Sequence, residues 1–324
     1  MIDRVHLLRE RIPEAVIRVL SLVSILIIAF IFIFVFSKAW PVLQASGLGL
    51  VTQTGFDRQI SDAFYASAQD PVLKFGLLGL IAGSVLTTLM ALILAAVFGI
   101  GAAIAIAELV PPLPAAFLSA VVRLLASIPS VVFGLVGIIT VVPFIQNTFV
   151  TTQMQITYLS LFQITGRGLL ASVAVLTFMI VPMVISMSID ALKAVPESYR
   201  ETGRAFGMKR FRIIWKIVLP SARSGILAGI ILAAGRGIGE AIAISMVCGG
   251  VGNVPDLSLG PVSLLTPVLT LSAAIVNKSE AMSAASVEEA LFACGAVLLV
   301  LGALLSVTAR VVERRLGRLA GHGN

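Results

Sequence analysis

The chain of 324 residues is 58% hydrophobic and 12% charged, with a mean hydropathy of +1.06 and a net charge of +7. Soluble domains carry roughly 25% charged residues, so this chain has too little polar surface to clothe a soluble globule, and its length allows about six or seven membrane helices of roughly 20 residues. The basic excess does not mark a nucleic-acid binder, because most of the 23 Lys and Arg sit between or beyond apolar runs, where they orient a membrane protein.

In chain order, six segments read as membrane helices: 16–38, 77–107, 117–146, 168–191, 221–247 and 287–312. The first apolar run, Val16 to Phe36, is too long for the core of a cleaved signal and is expected to be a retained anchor. The loop that follows, 39–76, holds Asp57, Arg58, Asp62, Asp70 and Lys74, is long enough to fold over one mouth of the bundle, and specifies no ligand. Glu108, near the end of the second span, reads as an interfacial charge. A seventh apolar stretch, 257–276, is interrupted by Gly260, Pro261 and Pro267 and reads as a re-entrant or external hairpin, tolerable at membrane depth only where protein covers it.

Orientation follows from charge. Arg4, Arg9, Arg11 and Arg18 precede or begin the first span, and Arg310, Arg314, Arg315 and Arg318 follow or end the last, so both termini are expected in the cytoplasm, with an even number of crossings. Cys248 and Cys294 lack CxxC spacing and read as packing residues; His6 and His322 lie in the termini and suggest no metal site.

Between the fourth and fifth spans lies a charged island, Val195 to Pro220, with Arg200, Arg204, Lys209, Arg210, Arg212 and Lys216 against Glu197 and Glu201. Proline suits a helix start and an acid there complements the dipole, so a short helix is expected from Glu197. Gly207 should stop it, and Met208 to Lys216 should restart it. Gly203 should loosen the first helix by about 1 kcal/mol relative to alanine if exposed. The island reads either as a helix that docks into a cytoplasmic partner or as an ordinary solvated loop.

Two further constellations lie at depth. Arg236 and Glu240, spaced i, i+4 in LAAGRGIGEAIAISMV, fall on one helical face and are expected to interact directly, with Gly235, Gly237 and Gly239 clearing space beside them. They read either as a translocation site for an anion, since the Arg fork suits an oxyanion, or as a structural intramembrane ion pair. Ser127-Ile128-Pro129-Ser130 reads either as a broken helix presenting N–H groups to an anion or as a proline kink whose serines bond back to their own backbone. Both serines are kept as candidate pathway residues.

Glu201, Gly207, Ile217, Leu219 and Pro220 reproduce the order E-A-A-x3-G-x9-I-x-L-P, with Thr202 and Gly203 in place of the two alanines. With the blocks LLASIPSVVFGLVG and LAAGRGIGEAIAISMVCGG, this resembles the type I ABC importer permeases, and among them the PstC-type subunits of phosphate importers, over about residues 75–312. The chain departs from the phosphate pattern at Ala241, Gly250 and Gly83-Ser84-Val85. The resemblance implies an all-α membrane fold of six transmembrane helices, with an N-terminal segment 1–74, a permease core 75–312 containing the loop 196–220, and a basic tail 313–324. It implies that Arg236 and Glu240, with Ser127 and Ser130, lie on the path of phosphate, and that Glu197, Arg200, Glu201, Ala205, Phe206 and Gly207 couple to an ATPase. The expected partners are a second homologous permease subunit, a cytoplasmic ATPase dimer, an external phosphate-binding protein and membrane lipid, with no nucleic acid. The chain is not itself expected to be an enzyme or to hold a cofactor: it contains no G-x-x-x-x-G-K-[ST], so ATP and Mg would be bound by the partner. Another oxyanion such as sulfate or molybdate, or a signalling or structural subunit, remains as an alternative.

Overall fold

A computed structural model describes residues 2–67, 70–159 and 163–320, with side chains from residue 16 to residue 311 apart from Leu257. The side chains of Arg4, Arg9, Arg11, Arg314, Arg315 and Arg318, and of His6 and His322, lie outside the described set. The described chain is almost wholly helical. It begins with α1 (Ile2–Ser46), which ends at the left-handed Gly47 beyond the predicted boundary, and continues through α2 (Gly49–Thr52), α3 (Phe56–Tyr65) and α4 (Leu78–Ile104). Next come α5 (Pro112–Ala126), α6 (Ser130–Val136), α7 (Val142–Phe149), α8 (Thr152–Tyr158) and α9 (Leu169–Lys193). The island supplies α10 (Glu197–Ala205) and α11 (Arg210–Ile213), followed by α12 (Leu219–Gly239), α13 (Ile242–Val247), α14 (Leu271–Asn277) and α15 (Ala285–Ala320).

Among the described residues, 6 helical runs are long and apolar enough to cross a membrane: 16–46, 78–109, 130–149, 169–193, 210–239 and 285–311. The third begins at Ser130 and not at 117, because Pro129 separates it from the shorter apolar α5. The fifth begins at Arg210, running unbroken through Pro220, and ends at Gly239, short of the predicted 247. Proline has no N–H and crowds the carbonyl four residues back. The chain widens ahead of it: π-helical turns at 105–109, 137–141 and 214–218 each end two residues before a proline, Pro111, Pro143 and Pro220.

The most buried span, α9, packs on α4 and α12, while α1 lies along α15. Small residues set the closest approaches. A Cβ on Gly225 would lie 2.6 Å from the Ala191 Cβ, and one on Gly229 would lie 2.6 Å from the Met187 Cβ, so a G-x-x-x-G step seats α12 on α9. Against α9, α5 buries Ala115, Ser119 and Val122.

Residues 248–270 return into the bundle without forming a spanning helix. The stretch 266–270 is extended and buried, and its backbone is paired with other chain segments: Val268 N–H donates to Cys248 O at 2.7 Å, and Leu169 N–H to Thr266 O at 3.0 Å. Ser84 Oγ accepts from Leu271 N–H at 2.9 Å. Non-helical backbone inside an apolar bundle is tolerable only when so satisfied. At its margin, Asp57 Oδ2 of α3 accepts from Gly252 N–H at 2.6 Å and Lys278 Nζ lies 3.1 Å from Asp57 Oδ1, so the loop between α1 and α4 is tied to this segment.

At the end carrying α10, Glu108 lies in the last turn of the second span and is buried. Arg200 Nη2 donates to Glu108 Oε1 at 2.7 Å and to Leu192 O at 3.0 Å, and its Nη1 donates to Val195 O at 2.8 Å. The bond to Glu108 raises the Arg200 pKa above its ordinary value against the desolvation that lowers it. Arg210 donates to the Glu108 backbone carbonyl. One guanidinium thus ties α10 to the ends of α4 and α9.

Two outcomes follow. Glu108→Ala leaves Arg200 buried without its carboxylate and should cost about 3 kcal/mol; denaturant titration of the assembled protein in mixed micelles, with Arg200→Met and the double variant, should give a coupling energy of about 2 kcal/mol. Gly79→Ala places a Cβ 1.8 Å from Gly252 O and should lower the yield of folded protein several-fold, whereas Gly101→Ala, with nothing within 4 Å, should express as the parent does.

Candidate functional site

Two regions gather the residues singled out in the sequence. The first is a pair of helix breaks. Ala126 ends α5, and Ser127 and Ile128 close its last turn by donating to Leu124 O and Leu125 O at 3.1 and 3.3 Å. Ser127 Oγ also bonds back, to Leu124 O at 2.7 Å, as expected of a serine at a proline break. Pro129 is extended in ψ, at 139°, and Ser130 starts α6 half-buried.

The second break lies within the glycine-rich block. Glu240 leaves the helix with ψ 115°, so α12 ends at Gly239 and α13 starts afresh. The expectation of one continuous helical face therefore fails, and no ion pair joins Arg236 to Glu240 among the described residues. The physical reason is that the carboxylate is engaged by backbone: Glu240 Oε1 accepts from Ala243 N–H at 3.0 Å and so caps the new helix. Ser272 Oγ, on α14, donates to the freed Glu240 carbonyl at 2.7 Å.

Arg236 reaches the other break. Its Nη1 donates to Ala126 O at 3.4 Å, placing the cation on the terminal carbonyl of α5, where the helix dipole favours positive charge. The guanidinium is half-buried, and its remaining N–H donors are not taken by a carboxylate among the described residues. Beside it, Gly235 and Gly239 are exposed and a Cβ on either would meet nothing within 4 Å, whereas Gly237 packs on Thr88 and Leu176. Leu232 and the open glycines lie on one side of α12, and Ile242 beyond the break is exposed too, a surface that the described residues of this chain do not cover.

The second region is α10. A cap of two bonds closes it: Gly207 N–H donates to Arg204 O at 2.9 Å and Met208 N–H to Gly203 O at 3.0 Å, with Gly207 at φ +71°. Gly203 is buried rather than exposed, and a Cβ there would lie 2.9 Å from the Ile213 Cγ1; its role is to seat α10 on the following helix, not to loosen it. Arg200 points inward to Glu108, and Arg204 Nη2 donates to Glu197 Oε1 at 2.9 Å. Glu201, Ala205 and Phe206 face outward. So does Tyr199, half exposed; Phe206 is 81% exposed. Reading the sequence alone passes over Tyr199 and does not reveal that Glu108 is paired with Arg200. An aromatic in the first turn of α10 was the available signal for Tyr199; the role of Glu108 is defined only by its partner.

Residues 95–318 match the family described as binding-protein-dependent transport system inner membrane component. A Mesorhizobium japonicum protein named phosphate transport system permease protein PstC is 29% identical, over 97% of this chain and 93% of that protein. A Mycobacterium tuberculosis protein named phosphate transport system permease protein PstC 1 is 34% identical over 76% of this chain and 74% of that protein. Among solved structures, an inward-facing MetNI methionine ABC transporter aligns with TM-score 0.53 at 18% identity, covering 72% of this chain and 93% of that one. A bacterial alginate ABC transporter, in complex with an alginate pentasaccharide-bound periplasmic protein, aligns with TM-score 0.53 at 16% identity, covering 91% of this chain and 94% of that one. The fold is that of an ABC importer permease, and the chain belongs to the inner membrane components of binding-protein-dependent transport systems.

Proposed function

We propose that this chain is one of the transmembrane subunits of an ATP-driven importer and that it passes inorganic phosphate. The observation that carries the reading is Arg236: a half-buried guanidinium held by a backbone carbonyl, unpaired with any carboxylate among the described residues, beside two open glycines on an uncovered face. Such a group offers paired donors to an oxyanion while binding it weakly enough to release it. Relatives that share most of the chain carry phosphate transport in their names. Glu240 serves the path by holding α13 in place, and its second oxygen remains available to a protonated phosphate. Ser127 and Ser130 flank the facing break.

In this reading, a second permease subunit covers the open face, an external binding protein delivers the ion, and two ATPase subunits bind ATP and Mg at the cytoplasmic end. Both termini lie in the cytoplasm. The segment 1–74 serves as an accessory to the core 75–312, and the tail 313–324 stays at the cytoplasmic surface. The exposed Tyr199, Glu201, Ala205 and Phe206 dock into the ATPase, while Glu197, Arg200 and Gly207 shape the helix that carries them.

The test is labelled-phosphate uptake into vesicles holding the full assembly. Arg236→Gln should lower ATP-dependent uptake at least tenfold, roughly 1.4 kcal/mol or more in the barrier, with the complex still assembled. Uptake equal to the parent would make Arg236 structural, and a parent that carries sulfate or molybdate but not phosphate would redirect the substrate. Separately, Phe206→Ala and Tyr199→Ala should each reduce the ATPase recovered with the purified permease, by about fivefold or more if these aromatics are anchors worth at least 1 kcal/mol each.

A further inference from the structure

One residue beyond the carbonyl that holds Arg236, the chain opens a pocket of about 630 Å³ whose walls include Ser119, Ala120, Arg123, Ser127 and Lys193. Pockets of roughly 300–1,000 Å³ are the size that holds small ligands. This one lies between α5 and the last turn of α9, at the end of the bundle that carries α10. Ser127 belongs to both places: it is the break residue next to Ala126, and it is part of the pocket wall.

Two cations face the pocket. Arg123 Nη2 donates to Asp190 Oδ1 at 3.0 Å, and both side chains are more than half exposed. An exposed pair of this kind contributes little stability, but it fixes the guanidinium and leaves most of its five N–H donors uncommitted. Lys193 is exposed at the final residue of α9, among the carbonyls that favour a cation. Asp190 sets a limit, because its charge opposes an anion and keeps the site from becoming tight. Ser119 Oγ and Ser127 Oγ donate to Ala115 O and Leu124 O at 2.7 Å each, and a hydroxyl rotor can turn from such a bond towards a ligand.

We propose that this pocket is a second site for a phosphate group, held between Arg123 and Lys193, with Ser127 of its wall one residue beyond the carbonyl that holds Arg236. The role as an exit station rests on the reading of Arg236 given above; the binding itself does not. Free phosphate leaving the path and the phosphate of an anionic lipid headgroup share this chemistry, and the lipid used in the experiment separates them.

The test uses Ala120→Cys in the full importer assembly in nanodiscs, with Ala116→Cys as a second reporter should the first disturb folding. Cys248 and Cys294 are both 0% exposed, so the introduced thiol is the reactive one among the described residues of this chain. Its modification by a negatively charged thiosulfonate is followed as the mass of this chain. In discs of zwitterionic lipid, inorganic phosphate should slow the reaction about fivefold when present at about four times its Kd, and Arg123→Gln with Lys193→Gln should abolish that protection. If anionic lipid slows the reaction by itself and added phosphate then does nothing, the occupant is the headgroup. Protection by neither, or protection unchanged in the double variant, overturns the site. Protection that survives Arg236→Gln while uptake also survives would retain the pocket and remove the exit role, so the two readings fail separately.

Discussion

Backbone N–H and C=O groups inside an apolar bundle can turn only to protein, and that constraint shapes everything at the centre of this molecule. The chain breaks its helices at 127–129 and 240–241, and runs extended through 266–270. Each irregular stretch is satisfied by neighbouring elements: Arg236 of α12 takes the Ala126 carbonyl, Ser272 of α14 takes that of Glu240, and the extended stretch 266–270 bonds to Cys248 and to Leu169 of α9. Arg236 reaches the end of α5 while the Glu240 carboxylate caps α13, so a cation and a carboxylate spaced as neighbours on a helix serve different partners.

Much of the architecture could be read from the residues alone, because hydropathy and charge are properties of a segment. The spans around α4, α9 and α15, the non-spanning character of 257–276, and the stop at Gly207 all follow from local composition and backbone preference. What could not be read depends on distant partners. Glu108 finds Arg200 across 92 residues, and nothing near Glu108 in the chain announces it. Gly203 looks like a weak point until Ile213 is folded against it. The spacing of Arg236 and Glu240 pointed to one shared face only while the helix was assumed continuous; three closely spaced glycines were the local warning that it need not be.

Stability and function pull on the same small residues in opposite ways. Gly225 and Gly229 are filled by α9, and Gly79 and Gly83 by the returning segment, so they serve packing. Gly235 and Gly239 have nothing opposite them. A chain that places glycine where it gains no contact within itself leaves that face for something outside it, and the face runs beside the half-buried cation.

The grip of Arg200 has a mechanical consequence. Because one side chain holds the Glu108 carboxylate and the carbonyls of Leu192 and Val195 at once, α10 is not a passive flap hinged at its two loops. It is a short lever keyed to two spans, with Gly203 bearing on a third. Torque applied to its exposed aromatics would reach α4, α9 and the root of α12 in the same instant, so these spans would turn as a single stiff body instead of yielding one after another.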